Sequence, residues 1–236
     1  MRARQLTAAW MVALAALAGA TQAAAQAAAQ AEPAGRVEVA AAVTWSGTAE
    51  LGGGAAALTP NLGGAAFSLF SVSATYATLV GADLRLAYRV TPWLLVGVSG
   101  ALARGDVRVQ VAGDAEGGQS PAFVGEPLGQ ALIEGRVDVL ITRLRAWQGR
   151  LVPYGTVSGG VLRHWHDGNV IIETGSVLQA GAGVRYRVAD RPTRLLSRVG
   201  LSAEVRMTRS SGGFNWGREH RTVPSARLEL FTGWGR

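Results

Sequence analysis

The stretch LVGADLRLAYRV, residues 79–90, alternates without a break. Val80, Ala82, Leu84, Leu86, Tyr88 and Val90 share one face, and Gly81, Asp83, Arg85, Ala87 and Arg89 share the other. A period of two is that of a β-strand, whose successive side chains point to opposite sides of the pleat. The pattern returns in GRVDV (135–139), RYRV (185–188), EVR (204–206) and RLEL (227–230). An apolar strip on one face and charges on the other, repeated along a chain, imply a barrel with an apolar outside and a polar inside.

Working outward from this segment, the alternation predicts eight strands. They run over 36–47, 79–90, 93–104, 131–143, 151–166, 174–188, 196–209 and 222–234. The Gly/Ala-rich stretch after the first strand, with Pro60 and Asn61, reads as a long loop, although 66–78 has enough alternation to extend the second strand. Residues 106–129 read as a second long loop, with a strand rhythm in DVRVQV at its base, and 210–221 as a third. Thr91-Pro92, RLRAWQGR (143–150) and ADRPTR (189–194) read as short reversals, and Asp167-Gly168-Asn169 as a turn of modest length. Long connections at one end and short ones at the other are the asymmetry of an outer-membrane barrel. Soluble eight-stranded barrels turn their charges outward and keep an apolar interior. Here the apolar face recurs uncharged over about ten residues per strand, the height of a bilayer-spanning strand.

The N-terminus reads as an address. Arg2 and Arg4 precede an apolar run from Ala8 to Ala20, and an Ala/Gln-rich segment then offers cleavage after Ala25 or Ala31. About 13 apolar residues fall short of the ~20 that a membrane helix needs. Residues 1–31 are therefore expected to be a cleaved signal peptide, and 36–236 a single barrel domain. The chain has no cysteine, so its stability must come from the fold. Its formal net charge is +7, and all 23 basic residues are arginine. These are scattered singly through strands, a distribution that argues against nucleic-acid binding.

The leader, the eight strands, the segment RLAYRVTPWLLVGVSGALA (85–103) and the closing strand ARLELFTGWGR (226–236) resemble the small eight-stranded outer-membrane β-barrel superfamily typified by OmpA and OmpX. The resemblance covers nearly all of the chain after the leader. It implies an all-β, antiparallel, up-and-down transmembrane barrel in a Gram-negative-type outer membrane, with both termini periplasmic. It also implies insertion by the barrel-assembly machinery.

An eight-stranded barrel is wide enough only for its own side chains. The residues expected to face the lumen include Asp83, Arg85, Arg89, Glu134, Arg136, Asp138, Arg185, Arg187, Glu204, Arg206, Arg227 and Glu229, with acids and arginines pairing across it. Trp45, Trp93, Trp147, Tyr154, Trp165, Trp216 and Trp234 are expected to sit at the membrane interfaces. His164 and His166, two apart on one strand face, form with Asp167 a weak metal candidate; a polar rim is the plainer reading, and no metal or other cofactor is implied. For catalysis, Ser158 shares the face of His164, but six residues span about 20 Å of strand, too far for a nucleophile and its base. Arginines at the outer strand ends, among them Arg104, Arg108, Arg163, Arg209, Arg218 and Arg221, could meet lipopolysaccharide phosphates.

The sequence thus points to a non-catalytic envelope-structural or surface-interaction barrel plugged by an acid–arginine network. A narrow porin-like channel is the alternative, and a lipid-modifying enzyme comes third. Barrels of this superfamily commonly end in an aromatic residue, whereas this chain ends Trp234-Gly235-Arg236. Trimming Gly235 and Arg236 should leave insertion intact, and Trp234→Ala should impair it. Equal insertion of all three forms, measured by heat-modifiable gel migration, would refute this.

Overall fold

The computed structural model describes residues 36–58, 67–112, 122–166, 171–189, 198–212 and 220–234. The expected signal peptide, 1–31, lies outside them. The described residues form ten strands: β1 (Arg36–Ser46), β2 (Ala49–Leu58), β3 (Phe67–Tyr76), β4 (Leu79–Thr91), β5 (Leu94–Ala112), β6 (Ala122–Leu140), β7 (Leu151–His166), β8 (Ile171–Ala189), β9 (Arg198–Gly212) and β10 (His220–Trp234). Eight of them form a closed antiparallel ring in which β1 lies between β4 and β10 and β5 pairs with both β4 and β6. Closure leaves no strand edge around the ring, which is what a sheet in hydrocarbon requires of its backbone.

The wall has inverted polarity compared with a soluble barrel. On β4, Asp83 is 3% exposed while its neighbour Leu84 is 67% exposed. Val43, Leu86, Val98, Leu102, Ile133, Val157, Val161, Leu178, Val205 and Leu228 are likewise exposed, and together they form an apolar belt around the outside. Such a surface is stable in lipid and not in water. No helix among the described residues is long and apolar enough to cross a membrane; the crossing is made by strands.

The expected long loops are shorter than the sequence suggests. The Gly/Ala-rich stretch forms β2, which pairs with β3, and β3 continues along the outer half of β5. DVRVQV belongs to β5, which runs on to Ala112 beside a β6 that begins at Ala122. The first two barrel strands are therefore interrupted, not ended, at 47–48 and 77–78. The two breaks lie opposite each other, since Ser46 pairs with Leu79 and Ala49 with Tyr76. At each break the inward parity flips: Ala40 and Ala42 face in on β1 but Leu51 on β2, and Asp83 faces in on β4 but Ala74 and Tyr76 on β3.

What drives this extension is apolar burial inside it. Leu51, Ala74, Tyr76, Leu79, Val107 and Leu128 pack into one cluster at the extended end of the barrel. Along β5 the outward face changes from Val96, Val98 and Leu102 to the exposed Arg104, Asp106 and Arg108, while Val107 turns inward. Beyond the belt the wall thus reverts to the polarity of a soluble protein, because its outside now meets water. The opposite end closes with short turns. In the 143–150 turn, Trp147, Gln148 and Gly149 take left-handed φ values of 50°, 58° and 80°. Arg187 donates to the Gly149 carbonyl at 2.6 Å and holds this turn against β8.

Leu51 is fully buried in the extension, but β2 is outside the ring. Leu51→Asp should cost the hairpin about 3 kcal/mol. Protease cleavage within residues 49–76 should then accelerate while the heat-modifiable shift of the barrel persists. Loss of that shift would show that the ring depends on the hairpin.

Candidate functional site

Strand parity puts charges on the inner wall at several heights, and the ring brings them into contact. Arg227 pairs with Asp83 at 2.5 Å and with Glu229 at 2.8 Å. Arg85 grips Glu229 with two nitrogens, at 2.5 and 3.1 Å, and reaches Asp138 at 3.0 Å. Arg136 joins Asp138 at 2.6 Å and also binds Glu204. Arg206 pairs with Glu204 at 3.1 Å and with Glu134 at 3.3 Å. The result is one unbroken chain of alternating sign from Asp83 to Glu134, all of it buried.

A second set lies nearer the turn end. Glu38 is held between Arg89 at 2.6 Å and Arg185 at 2.5 Å. The Arg185 guanidinium lies 4.0 Å from the centre of the Phe231 ring, and Arg89 also donates to the Pro92 carbonyl at 3.2 Å. Five carboxylates with four guanidinium groups in the first set, and one with two in the second, balance each other. Neutral donors complete the carboxylate shells. Ser99 and Ser158 each donate to Glu134 at 2.9 Å, Tyr154 to Glu204 at 2.7 Å, and Ser202 to Glu229 at 3.2 Å. Pairing of this kind is what makes so many buried charges tolerable.

Arg187, expected in the same network, is half-buried at the turn-end mouth and donates to the backbone there. Tyr154 corrects an expectation more sharply. It is 3% exposed inside the barrel, not at a membrane interface, and its hydroxyl belongs to the charge network. Its parity with the inward Thr156 and Ser158 already marked it as an inner residue. Glu38 was missed by the sequence reading, although RVEV (36–39) carries the same alternation as the other strands. Among the interface aromatics, Trp45 and Trp147 are exposed, and Trp93, Trp165 and Trp234 are half-buried. The Trp165 indole lies across Gly129, where a side chain of any size would collide with it. Trp216 lies outside the described residues.

His164 is buried on the inner wall at the extended end, in contact with the Tyr76 hydroxyl at 3.4 Å and Gln130 Oε1 at 3.0 Å. Asp167 lies outside the described residues, and among those described no group of three or more His, Cys, Asp or Glu side chains is placed to hold a metal. Arg221 packs 4.9 Å from the centre of the Tyr76 ring. Burial pushes the Tyr76 hydroxyl above the ordinary tyrosine range, and the adjacent Arg221 charge opposes that rise.

Among the described residues, two small cavities open within the lumen. A cavity of about 80 Å³ at the extended end is lined by residues such as Thr44, Tyr76, Gln130, His164, Arg206 and Arg221. One of about 40 Å³ at the turn end is lined by Glu38, Arg89, Arg185 and Phe231 among others. Arg85, Arg136, Asp138, Glu204 and Glu229 line neither and fill the space between.

No protein-family model and no curated protein matches the chain. Solved structures do. The outer membrane protein OprG from Pseudomonas aeruginosa superposes with a TM-score of 0.52 at 10% identity, over 88% of this chain and 99% of that one. The fold is that of a small outer-membrane barrel. Neisserial surface protein A is similar at 17% identity with a TM-score of 0.47, over 86% of this chain and 98% of that one. Ail, the attachment invasion locus protein of Yersinia pestis, has a TM-score of 0.40 at 12% identity, over 86% and 100%.

Removing one member of the network should be costly, because its partners stay buried. Arg85→Met leaves Glu229 and Asp138 each short of a cation. It should lower stability by about 3–5 kcal/mol, measured by urea unfolding in lipid vesicles. A change under ~1 kcal/mol would show that these charges are hydrated in the lumen.

Proposed function

We propose that this chain is a non-catalytic outer-membrane barrel with a closed lumen, serving the envelope as a structural or surface-interaction protein. The extended end faces outward and the ends of β1 and β10 face the periplasm. One observation carries this reading: the acid–arginine chain runs unbroken across the lumen between the two cavities. An ion crossing it would have to displace several charge-assisted hydrogen bonds at once.

The side chains that a hydrolase would use are engaged elsewhere. Ser158 donates to Glu134, and His164 is occupied by Tyr76 and Gln130. The extended end supports the surface role, since β2, β3 and the outer part of β5 stand beyond the apolar belt and expose polar side chains there, among them Glu50, Ser71, Ser73, Asp106 and Arg108.

Planar-bilayer recording tests the closed lumen. The folded barrel should give no reproducible conductance step at neutral pH, and Arg85→Ala with Arg136→Ala should introduce one. A reproducible step from the unaltered protein, lost when the inner arginines are changed, would replace the plug by a narrow channel.

A further inference from the structure

The two rims of the apolar belt differ in chemistry. Four strands, β1, β5, β7 and β9, run from the turn end toward the extended end. Each ends its outward aliphatic run on a residue of one of two kinds: Val43 is followed by Trp45, Leu102 by Arg104, Val161 by Arg163, and Met207 by Arg209. The three arginines are exposed on the outer wall. Their cross-strand neighbours are uncharged: Val80 and Gly129 for Arg104, Ala131 and Thr174 for Arg163, Leu178 and Thr222 for Arg209. Asp106, two positions further out on β5, is followed at the same spacing by Arg108. The turn rim carries aromatics, with Tyr88 at 49% and Trp147 at 68% exposure and Trp147 edge-on to Tyr186 at 5.7 Å, together with the exposed Arg143.

We propose that Arg104, Arg163 and Arg209 form a phosphate-binding rim that engages phosphorylated lipid headgroups in the leaflet at the extended end. The inference deepens the proposed function and rests on its membrane reading. Polarity on β5 inverts just beyond Leu102, so Arg104 sits where hydrocarbon gives way to headgroups. A guanidinium there offers a planar fork of donors that matches two phosphate oxygens, and its charge complements an anionic leaflet. The Trp165 indole, flat over Gly129, lies between the β5 and β7 arginines and gives the lipid an amphipathic surface at the same level. The turn rim offers an exposed Arg143 beyond Ile141, so the distinguishing feature of the extended rim is that three separate strands each end their outward run on arginine.

The full chain, refolded into phosphatidylcholine vesicles doped with brominated phosphatidic acid or brominated phosphatidylcholine, reports lipid preference through tryptophan quenching. Heat-modifiable migration is read first: a wild-type chain with no shift would overturn the membrane reading itself, separately from the rim. The folded wild type should favour phosphatidic acid about fivefold. The combined Arg104→Gln, Arg163→Gln, Arg209→Gln variant should show no preference. Arg143→Gln with Arg150→Gln, at the turn end, should retain it. No preference in the folded wild type, or an unchanged preference in the triple variant, would overturn the proposal. So would abolition of the preference by millimolar inorganic phosphate, which would mark an ion site in place of a lipid one. If the triple variant gives no heat shift, Arg163→Gln alone decides: a reduced preference supports the rim and an unchanged one removes it.

Discussion

The lumen of an eight-stranded ring holds side chains and almost no water, so every charge on its inner wall must find a partner within reach. This constraint organises the molecule. The lipid side forces aliphatic residues outward, the pleat then delivers the alternate residues inward, and many of these are charged. Asp83, Arg85 and Arg89 on one strand meet Arg227, Glu229 and Glu38 on others because closure brings all eight inner faces onto one axis. Hydrophobic burial in the usual sense is confined to small clusters, such as the one around Leu51 and Val107. In the belt itself, backbone pairing and ion pairing take its place.

The same strands obey two opposite polarity rules along their length. Within the belt, apolar residues face out and charges face in; beyond it, Val107 and Leu128 turn in while Arg104 and Arg108 turn out. The change of solvent accounts for both halves. It also locates the upper edge of the hydrocarbon within a few residues on β5, and it makes Arg104, Arg163 and Arg209 chemically distinct from the arginines inside. One residue type thus occupies two settings, paired across the lumen inside and exposed at the edge of the belt outside, separated only by which face of the pleat it occupies.

Much of this was legible in the sequence. β4, β7 and most of β8 and β9 follow directly from alternation, and so does the inward set from Asp83 to Glu229. The extension was legible only in part: 66–78 and DVRVQV carry an alternation that β3 and the outer part of β5 bear out, whereas β2 was hidden for a physical reason. Parity flips at 47–48 and 77–78, and the polarity rule reverses beyond the belt, so neither cue carries over from β1 into β2. A Gly/Ala-rich segment such as AELGGGAAAL reads as a loop because its small side chains carry little alternation of their own; β3 and Leu79 supply the partner and the burial that make it a strand. Tyr154 shows the reverse case, in which parity was correct and residue type misled: tyrosine suits a membrane interface, but its neighbours on β7 point inward.

Sequence alone determined the strand class, the outward apolar belt and the identity of most of the inward charges, because a period of two is a local property that needs no partner strand to be read. Tertiary structure decided which acid meets which arginine. It also decided that Glu38 bridges Arg89 and Arg185, and that a continuous chain of ion pairs lies between two small cavities. Those contacts join residues as far apart as 147 positions in the chain. They depend on the register of every strand in the ring, which becomes fixed only when β1 closes onto both β4 and β10.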